Sequence, residues 1–219
     1  MGVDEAGRGP VLGPMVIGGI IIPESKNTIL ERMGVKDSKK LTPKRRTILA
    51  RKLSKMFEYD TVIISAQDID NLRAKDVNLN EIEKIAMIKL IKKLQPDCAI
   101  LDAVDVKPKR FELEVQNIVG DINIIAEHKA DDNYVQVAAA SIIAKFTRDK
   151  IIDEINKDYL DMGGIGSGYP SDPKTKKFLT NFEYDELPDF VRKSWATVEK
   201  MRNIWNLIIN KHINYKIVY

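Results

Sequence analysis

The sequence predicts an α/β fold: a mixed five-stranded sheet flanked by helices, with a helical C-terminal extension. Three observations predict it. A short strand at 2–5 and an apolar run at 15–22 are joined by a turn rich in Gly and Pro, as in an antiparallel strand pair. Two later apolar runs alternate with helically spaced segments, as in a parallel strand–helix–strand unit. The final third has helical spacing and no strand-like run.

Each element has its own local reason. Gly2-Val3-Asp4-Glu5 is a short strand, and Gly7, Gly9, Pro10 and Gly13 make the turn after it. The 15–22 strand is stopped by Pro23. Thr42-Pro43 is an N-cap followed by a first-turn proline, opening a helix to about Met56 with Leu49, Leu53 and Met56 on one face. Residues 61–65 form a third strand. Asn78 and Glu81 form a capping-box-like pair ahead of Leu79, Ile82, Ile85, Ala86, Leu90 and Leu94 at helical spacing. A buried strand, 98–102, ends on Asp102. A helix over 109–119 leads to a strand at 122–126. Residues 133–160 form a long helical stretch whose Ala138, Ala139 and Ala140 permit close packing. A glycine-rich loop at 163–168 ends in Tyr169-Pro170, and 174–181 and 194–210 are helical. Two domains follow: a catalytic domain over 1–173 and a C-terminal helical extension over 174–219.

Composition excludes several classes. The chain has 219 residues, 44% apolar and 31% charged, which is a globular rather than a disordered balance. Cys98 is the one cysteine, so there is no internal disulfide and no zinc spacing; it reads as a buried, inert thiol. The longest apolar run, 15–22, is too short to span a bilayer, and no signal segment opens the chain. The expected location is the cytoplasm, with no membrane partner and a monomer by default. The net charge of +3 is mild, but between Lys36 and Lys55 nine Lys or Arg face one acid, Asp37. Such a stretch attracts a polyanion, although a solvated helix face has the same composition.

Four acids fall where strands end or helices begin: Asp4, Glu5, Asp102 and Asp131. Sites in open α/β sheets gather at strand ends, and two-metal phosphodiester chemistry needs several carboxylates around closely spaced ions. Mg²⁺ and Mn²⁺ both accept oxygen ligands. Each acid alone is more often a turn or cap residue. Asp132 reads as the helix cap before Asn133, leaving Asp131 the freer side chain, while Asp105 competes with Asp102 from the following loop. Glu5 poses a geometric problem, because adjacent strand residues point to opposite faces. It joins Asp4 only if the chain bends there or the longer arm reaches around.

Gly7-Arg8-Gly9 adds exposed backbone amides and a guanidinium, which suit a phosphate-bearing ligand. It is neither a dinucleotide fingerprint nor a Walker loop, since position 12 is Leu and a strand follows. Tyr169 can stack on a sugar or base. His128, close to Asp131, is a candidate proton shuttle but reads more readily as structural, and His212 has no partner in sequence. Trp195 and Trp205 read as core anchors. Three function classes remain: a metal-dependent enzyme acting on the phosphodiesters of RNA, one acting on those of DNA as a nuclease or resolvase, and a non-enzymatic binding module. Four acids beside a polyanion repel it unless metal neutralises them, which argues against a pure binder.

Six spaced motifs then carry a resemblance. Asp4-Glu5-Ala-Gly-Arg-Gly-Pro10, Asp37-Ser38-Lys39-Lys40-Leu41, Leu101-Asp102, Lys129-Ala-Asp131, Ala139-Ala-Ser141-Ile-Ile-Ala-Lys145 and Gly166-Ser-Gly-Tyr-Pro-Ser-Asp-Pro173 occur in this order. From residue 2 to about 173 the chain resembles ribonuclease HII, most closely the archaeal form. The resemblance implies a ribonuclease H-like fold and endonucleolytic cleavage of RNA in RNA–DNA hybrids. It also implies cutting 5′ to single ribonucleotides embedded in duplex DNA, giving 3′-hydroxyl and 5′-phosphate ends, as in DNA replication and repair. It implies Mn²⁺ or Mg²⁺, two ions during catalysis, held by Asp4, Glu5, Asp102 and Asp131. Gly7, Arg8 and Gly9 would read the ribose 2′-hydroxyl, largely through backbone groups. Tyr169 would pack at the ribose–deoxyribose junction, with Ser38, Lys39 and Lys145 near backbone phosphates.

Overall fold

The computed structural model describes residues 1–202, apart from the side chains of Asp37 and Ser38. Five strands form one sheet: β1 (Gly2–Ala6), β2 (Met15–Ile20), β3 (Tyr59–Ile64), β4 (Cys98–Asp102) and β5 (Asn123–Glu127), in the order β3-β2-β1-β4-β5. β2 pairs antiparallel with both β1 and β3, while β4 pairs parallel with β1 and β5. The mixed five-stranded sheet is therefore as the sequence predicts. Helices α1 (Asn27–Arg32), α2 (Pro43–Met56), α3 (Ala66–Arg73), α4 (Leu79–Leu94), α5 (Pro108–Val119), α6 (Ala130–Asn133), α7 (Val135–Lys157) and α8 (Pro173–Leu179) complete the main elements, and another helix begins at 196. Among the described residues, no helix is long and apolar enough to cross a membrane.

The chain folds as two compact units that interleave in sequence. The first takes residues 1–8, 15–64 and 77–150; the second takes 9–14, 65–76 and 151 onward. In the first unit, strand alternation sorts the layers. Paired residues Asp4 and Gly18 face one way, toward α7, where a side chain on Gly18 would lie 2.7 Å from the Ala140 carbonyl oxygen. Gly2 faces the same helix at Gln136. Val3 and Gly19 are paired on the opposite face, where Gly19 meets Leu90 of α4. On the α7 side, Ile20, Leu30, Leu49, Leu53, Ala138, Ala139 and Ile142 make one buried apolar cluster.

The second unit has its own core of Leu12, Ile152, Ile165, Phe178, Leu187 and Val198. Tyr159 sits edge-on to Phe178 and Phe190, with centroids 5.1 and 5.4 Å away. Fully buried Arg192 donates from Nε to the Gly13 carbonyl at 2.9 Å, and Asp70 of α3 accepts the backbone N–H groups of Lys193 and Ser194.

Several boundaries differ from expectation. Thr42 and Asn78 do cap their helices, but Glu81 turns to Lys84 instead of completing a capping box. The expected 133–160 helix is α7 alone, running from Val135 to Lys157 and set off from the short α6 by extended Tyr134. α6 opens before Asp132, so Asp132 lies in its first turn and does not cap it. Cys98 is half-buried because it opens β4 beside Asn123, whose amide reaches its sulfur at 3.6 Å. Trp205 and the end of the expected 194–210 helix lie outside the described residues.

Gly18→Ala is expected to lose about 1–3 kcal/mol, because an added methyl meets helix backbone rather than a movable side chain. Urea unfolding checks this, and an unchanged midpoint would show that α7 can retreat.

Candidate active site

β1 keeps its pairing with β2 unbroken from Gly2 to Ala6, so the chain does not bend at Glu5. The side chains make the meeting instead. Asp4 turns along its own strand, where Oδ1 accepts the Glu5 backbone N–H at 2.8 Å. Carboxylate oxygens of Asp4, Glu5 and Asp102 then lie within 4.8 Å of one another. Asp4 is only 4% exposed. Burial pushes its carboxyl well above the ordinary carboxylate value. The Glu5 and Asp102 charges push it further, and a hydrogen bond from Ser141 of α7 opposes them.

Asp102 ends β4 and serves two neighbours. Its Oδ1 accepts the Ala130 N–H at 3.0 Å, supplying an acceptor for the first turn of α6, whose own preceding residue offers no side-chain cap. Its carboxyl is raised by burial and by the charges of Glu5 and Asp131, against the Ala130 hydrogen bond. Asp131, in the first turn of α6, lies outside that three-acid group but close enough for its charge to act on Asp102. The Asp131 carboxylate accepts from Lys39 Nζ at 3.1 Å, and Asp132 accepts from the same ammonium at 2.8 Å. Asp131 is buried and Asp132 exposed. Lys39 thus lies against the acids, and it holds the Asp132 carboxyl below its ordinary value. Asp105 stays outside the cluster: it accepts the Lys107 N–H and pairs with Arg110 at the start of α5.

The turn after β1 uses its charge inward. Gly7 has φ +90°, a conformation that favours glycine. Arg8 pairs through Nη1 with Glu83 of α4, and its Nη2 donates to Asn80 Oδ1 at 2.7 Å. The guanidinium expected to meet a ligand is therefore committed to α4. Sequence reasoning missed Glu83. The available signal was an acid on the core-facing stripe of α4, adjacent to Ile82 and one turn before Ala86 and Met87, all buried.

In the second unit, Gly9 faces Tyr169, whose ring carbon lies 3.5 Å from where a Cβ would stand, and Gly9 accepts from Trp195 Nε1 at 3.1 Å. The loop before Tyr169 is tied down by buried Thr175, whose Oγ1 accepts the Gly168 N–H and donates to the Ile165 carbonyl. Asp172 accepts the Ser167 N–H, and its bonds with Ser167 hold its carboxyl down at about 2. Tyr169 itself is half exposed.

Lys145 donates to Ser141 Oγ at 2.6 Å, so it is tied to the hydroxyl that supports Asp4. Of the nine basic residues between Lys36 and Lys55, all but Arg46 are exposed. His128 contacts the Val106 carbonyl at 3.3 Å, in keeping with a structural role. The side chain of Ser38 and all of His212 lie outside the described residues.

Three carboxylates this close repel one another, and burial denies Asp4 solvent screening while Glu5 and Asp102 are half-buried. A hard divalent cation answers both costs. Three carboxylates gathered within 4.8 Å of one another form an all-oxygen donor set of the kind that suits a hard divalent cation.

The family model for Ribonuclease HII matches residues 1–198. The chain is 70% identical over 203 residues to the Ribonuclease HII of Methanobrevibacter smithii, covering 93% of this chain and 98% of that protein. It superposes on the ribonuclease H2 of Pyrococcus horikoshii OT3 with a TM-score of 0.86 at 40% identity, covering 94% of this chain and 97% of that one. The RNase HII of Archaeoglobus fulgidus, solved in a complex with PCNA, gives a TM-score of 0.81 at 40% identity, covering 92% and 95%.

Because the folded Asp4 carboxyl titrates above its unfolded value of 3.8, it favours the folded state fully below that value and loses this contribution as pH rises through the folded value. Without divalent ions at pH 7, Asp4→Asn should therefore be the more stable protein, by about 1 kcal/mol or roughly 2–4 °C in Tm. The gap should close as pH falls toward 3.8. Added Mg²⁺ should raise Tm of the parent more than that of the variant. A variant less stable than its parent at pH 7 would mean that the buried charge is already compensated.

Proposed function

This chain belongs to the ribonuclease HII family and is a hydrolase, an endonuclease of the ribonuclease H kind; from that premise we propose that it cuts 5′ to single ribonucleotides embedded in duplex DNA, as well as RNA in RNA–DNA hybrids, leaving 3′-hydroxyl and 5′-phosphate ends. The observation that carries this reading is the meeting of Asp4 and Glu5 on β1 with Asp102 at the end of β4, where β1 runs directly into a glycine turn with its arginine anchored. Asp4, Glu5, Asp102 and Asp131 would hold Mg²⁺ or Mn²⁺, two ions in the working site. Bound there, such ions make an attacking water more acidic and steady the leaving oxygen.

The chain's own residues divide the remaining work. Asp102, fixed by the Ala130 N–H, keeps β4 and α6 in register so that Asp131 stays beside the cluster. Gly7, Arg8 and Gly9 would test for the 2′-hydroxyl through backbone groups. A deoxyribose would leave those groups unpaired, which penalises the wrong sugar. Tyr169 would pack at the junction between ribose and the following deoxyribose. Lys39, Ser38, Lys145 and the exposed basic residues up to Lys55 would attract the duplex backbone without reading sequence. We propose 1–173 as the catalytic domain, since every motif precedes residue 174, and 174–219 as an extension. We further propose a monomer acting in the cytoplasm.

Three duplexes test the reading: all-DNA, DNA with one ribonucleotide, and an RNA–DNA hybrid, each with and without Mg²⁺ or Mn²⁺. Cutting should need the ion and at least one ribonucleotide. Equal cutting of all-DNA duplex would instead indicate a DNA nuclease or resolvase. Asp102→Asn should lose more than the roughly 10–100-fold that removal of a metal-orienting partner costs. Asp131→Asn should fall similarly while Asp132→Asn stays near the parent; the reverse order would move the fourth ligand to Asp132. Tyr169→Ala should cost about 1–3 kcal/mol on the single-ribonucleotide duplex.

A further inference from the structure

We propose that Glu83, seconded by Asn80, is a positioning residue for the sugar-reading turn and acts through the Arg8 side chain. The inference rests on the assignment of that turn to the 2′-hydroxyl. Glu83 is 0% exposed and lies on the sheet-facing side of α4, among Ile82, Ala86, Met87 and Leu90. An acid there is costly. An apolar residue of similar volume would commonly serve stability as well or better, and a buried ion pair is weak evidence for stability. What the pair does provide is orientation. Arg8 Nη1 meets Glu83 and Nη2 meets Asn80, two residues three apart on one helix face. A planar guanidinium held at two nitrogens by two different side chains has its plane and its reach defined. Both contacts belong to the first residue after Gly7, which sits at φ +90° and confers freedom rather than stiffness.

The consequence is a division of labour within one residue. The Arg8 side chain, 38% exposed, is an anchor sunk toward α4, and sugar reading is assigned to the backbone of the turn it anchors. The helix that covers one face of the sheet thereby sets the position of a turn at the end of β1. Sugar discrimination needs such rigidity, because a turn that can relax will accept a sugar lacking the hydroxyl. Displacement by about 1 Å can cost 10²-fold in rate.

Steady-state cleavage of duplex DNA carrying one ribonucleotide, with Mg²⁺ at 25 °C, tests the proposal on the full chain. Glu83→Gln keeps the shape and removes the charge; it should lower kcat about 10–100-fold while KM for the duplex stays within about twofold. Asn80→Ala should lower kcat in the same direction by less. The double variant Arg8→Ala/Glu83→Gln should match Arg8→Ala alone, because both changes cut one link. A purely structural Glu83 would lower Tm and leave kcat of the folded protein unchanged, and that result overturns the proposal. So does a double variant whose loss is the product of the two single losses. Should Glu83→Gln fail to fold, Asn80→Ala decides alone, and an unchanged kcat in it overturns the idea. A parent that cuts no ribonucleotide-bearing duplex would defeat the functional reading itself, whereas a parent that cuts with unaltered variants defeats this inference only.

Discussion

Negative charge gathered where water is scarce is the constraint around which this protein is arranged. Asp4 is buried at the end of β1 with Glu5 and Asp102 at its oxygens, and the charged form of such a group is disfavoured by desolvation and by its neighbours alike. Folding alone would select against it. The surrounding structure supplies partial compensation: the Ser141 hydroxyl toward Asp4, the Ala130 N–H toward Asp102, and the Lys39 ammonium bridging Asp131 and Asp132. None of these neutralises the three-acid cluster itself. Local conflict of this sort is expected where a fold gives up stability for chemistry.

Polar side chains in this protein serve as anchors as often as they serve as reagents. Arg8 reaches into α4, Thr175 pins the Gly168 N–H, Asp172 gathers Ser167, and Arg192 grips the Gly13 carbonyl. Each of them fixes backbone near a residue assigned a role in binding. Glycine-rich segments adopt the required conformations without strain, but glycine by itself holds nothing in place. The rigidity is contributed by side chains that are themselves immobilised by burial or by paired hydrogen bonds.

The sheet was largely legible because its signals are local. Pro23 and Gly13 punctuate β2, and Cys98-Ala-Ile-Leu-Asp102 reads as a strand on its own. α3 was not read, although its Ser65–Asp68 capping box is present, because eight residues with two buried side chains give too little periodicity. The break between α6 and α7 at Tyr134 is tertiary in origin: α6 is capped from across the fold by Asp102, which no window around residue 130 contains. The site divides in the same way. Asp4, Glu5 and Asp102 stand out at strand ends, and the structure brings those three together. The pairings of Lys39, Glu83 and Ser141 are with neighbours about 75 to 140 residues away, so the local sequence gave no warning of those pairings. Neither did the interleaving of the two units, which assigns residues 9–14 to the second.

Gly18 and Gly19 sit side by side in β2, one facing Ala140 and Ala144 of α7, the other facing Leu90 of α4. At that point the sheet has no upholstery of its own: the backbone of α7 presses on bare main chain from one side, and the side chains of Leu90 and Met1 do so from the other. α4 carries the clasp on Arg8, and α7 carries the hydroxyl beneath Asp4. The glycine pair therefore lets the helix that clasps Arg8 and the helix that supports Asp4 both settle against the same short stretch of strand.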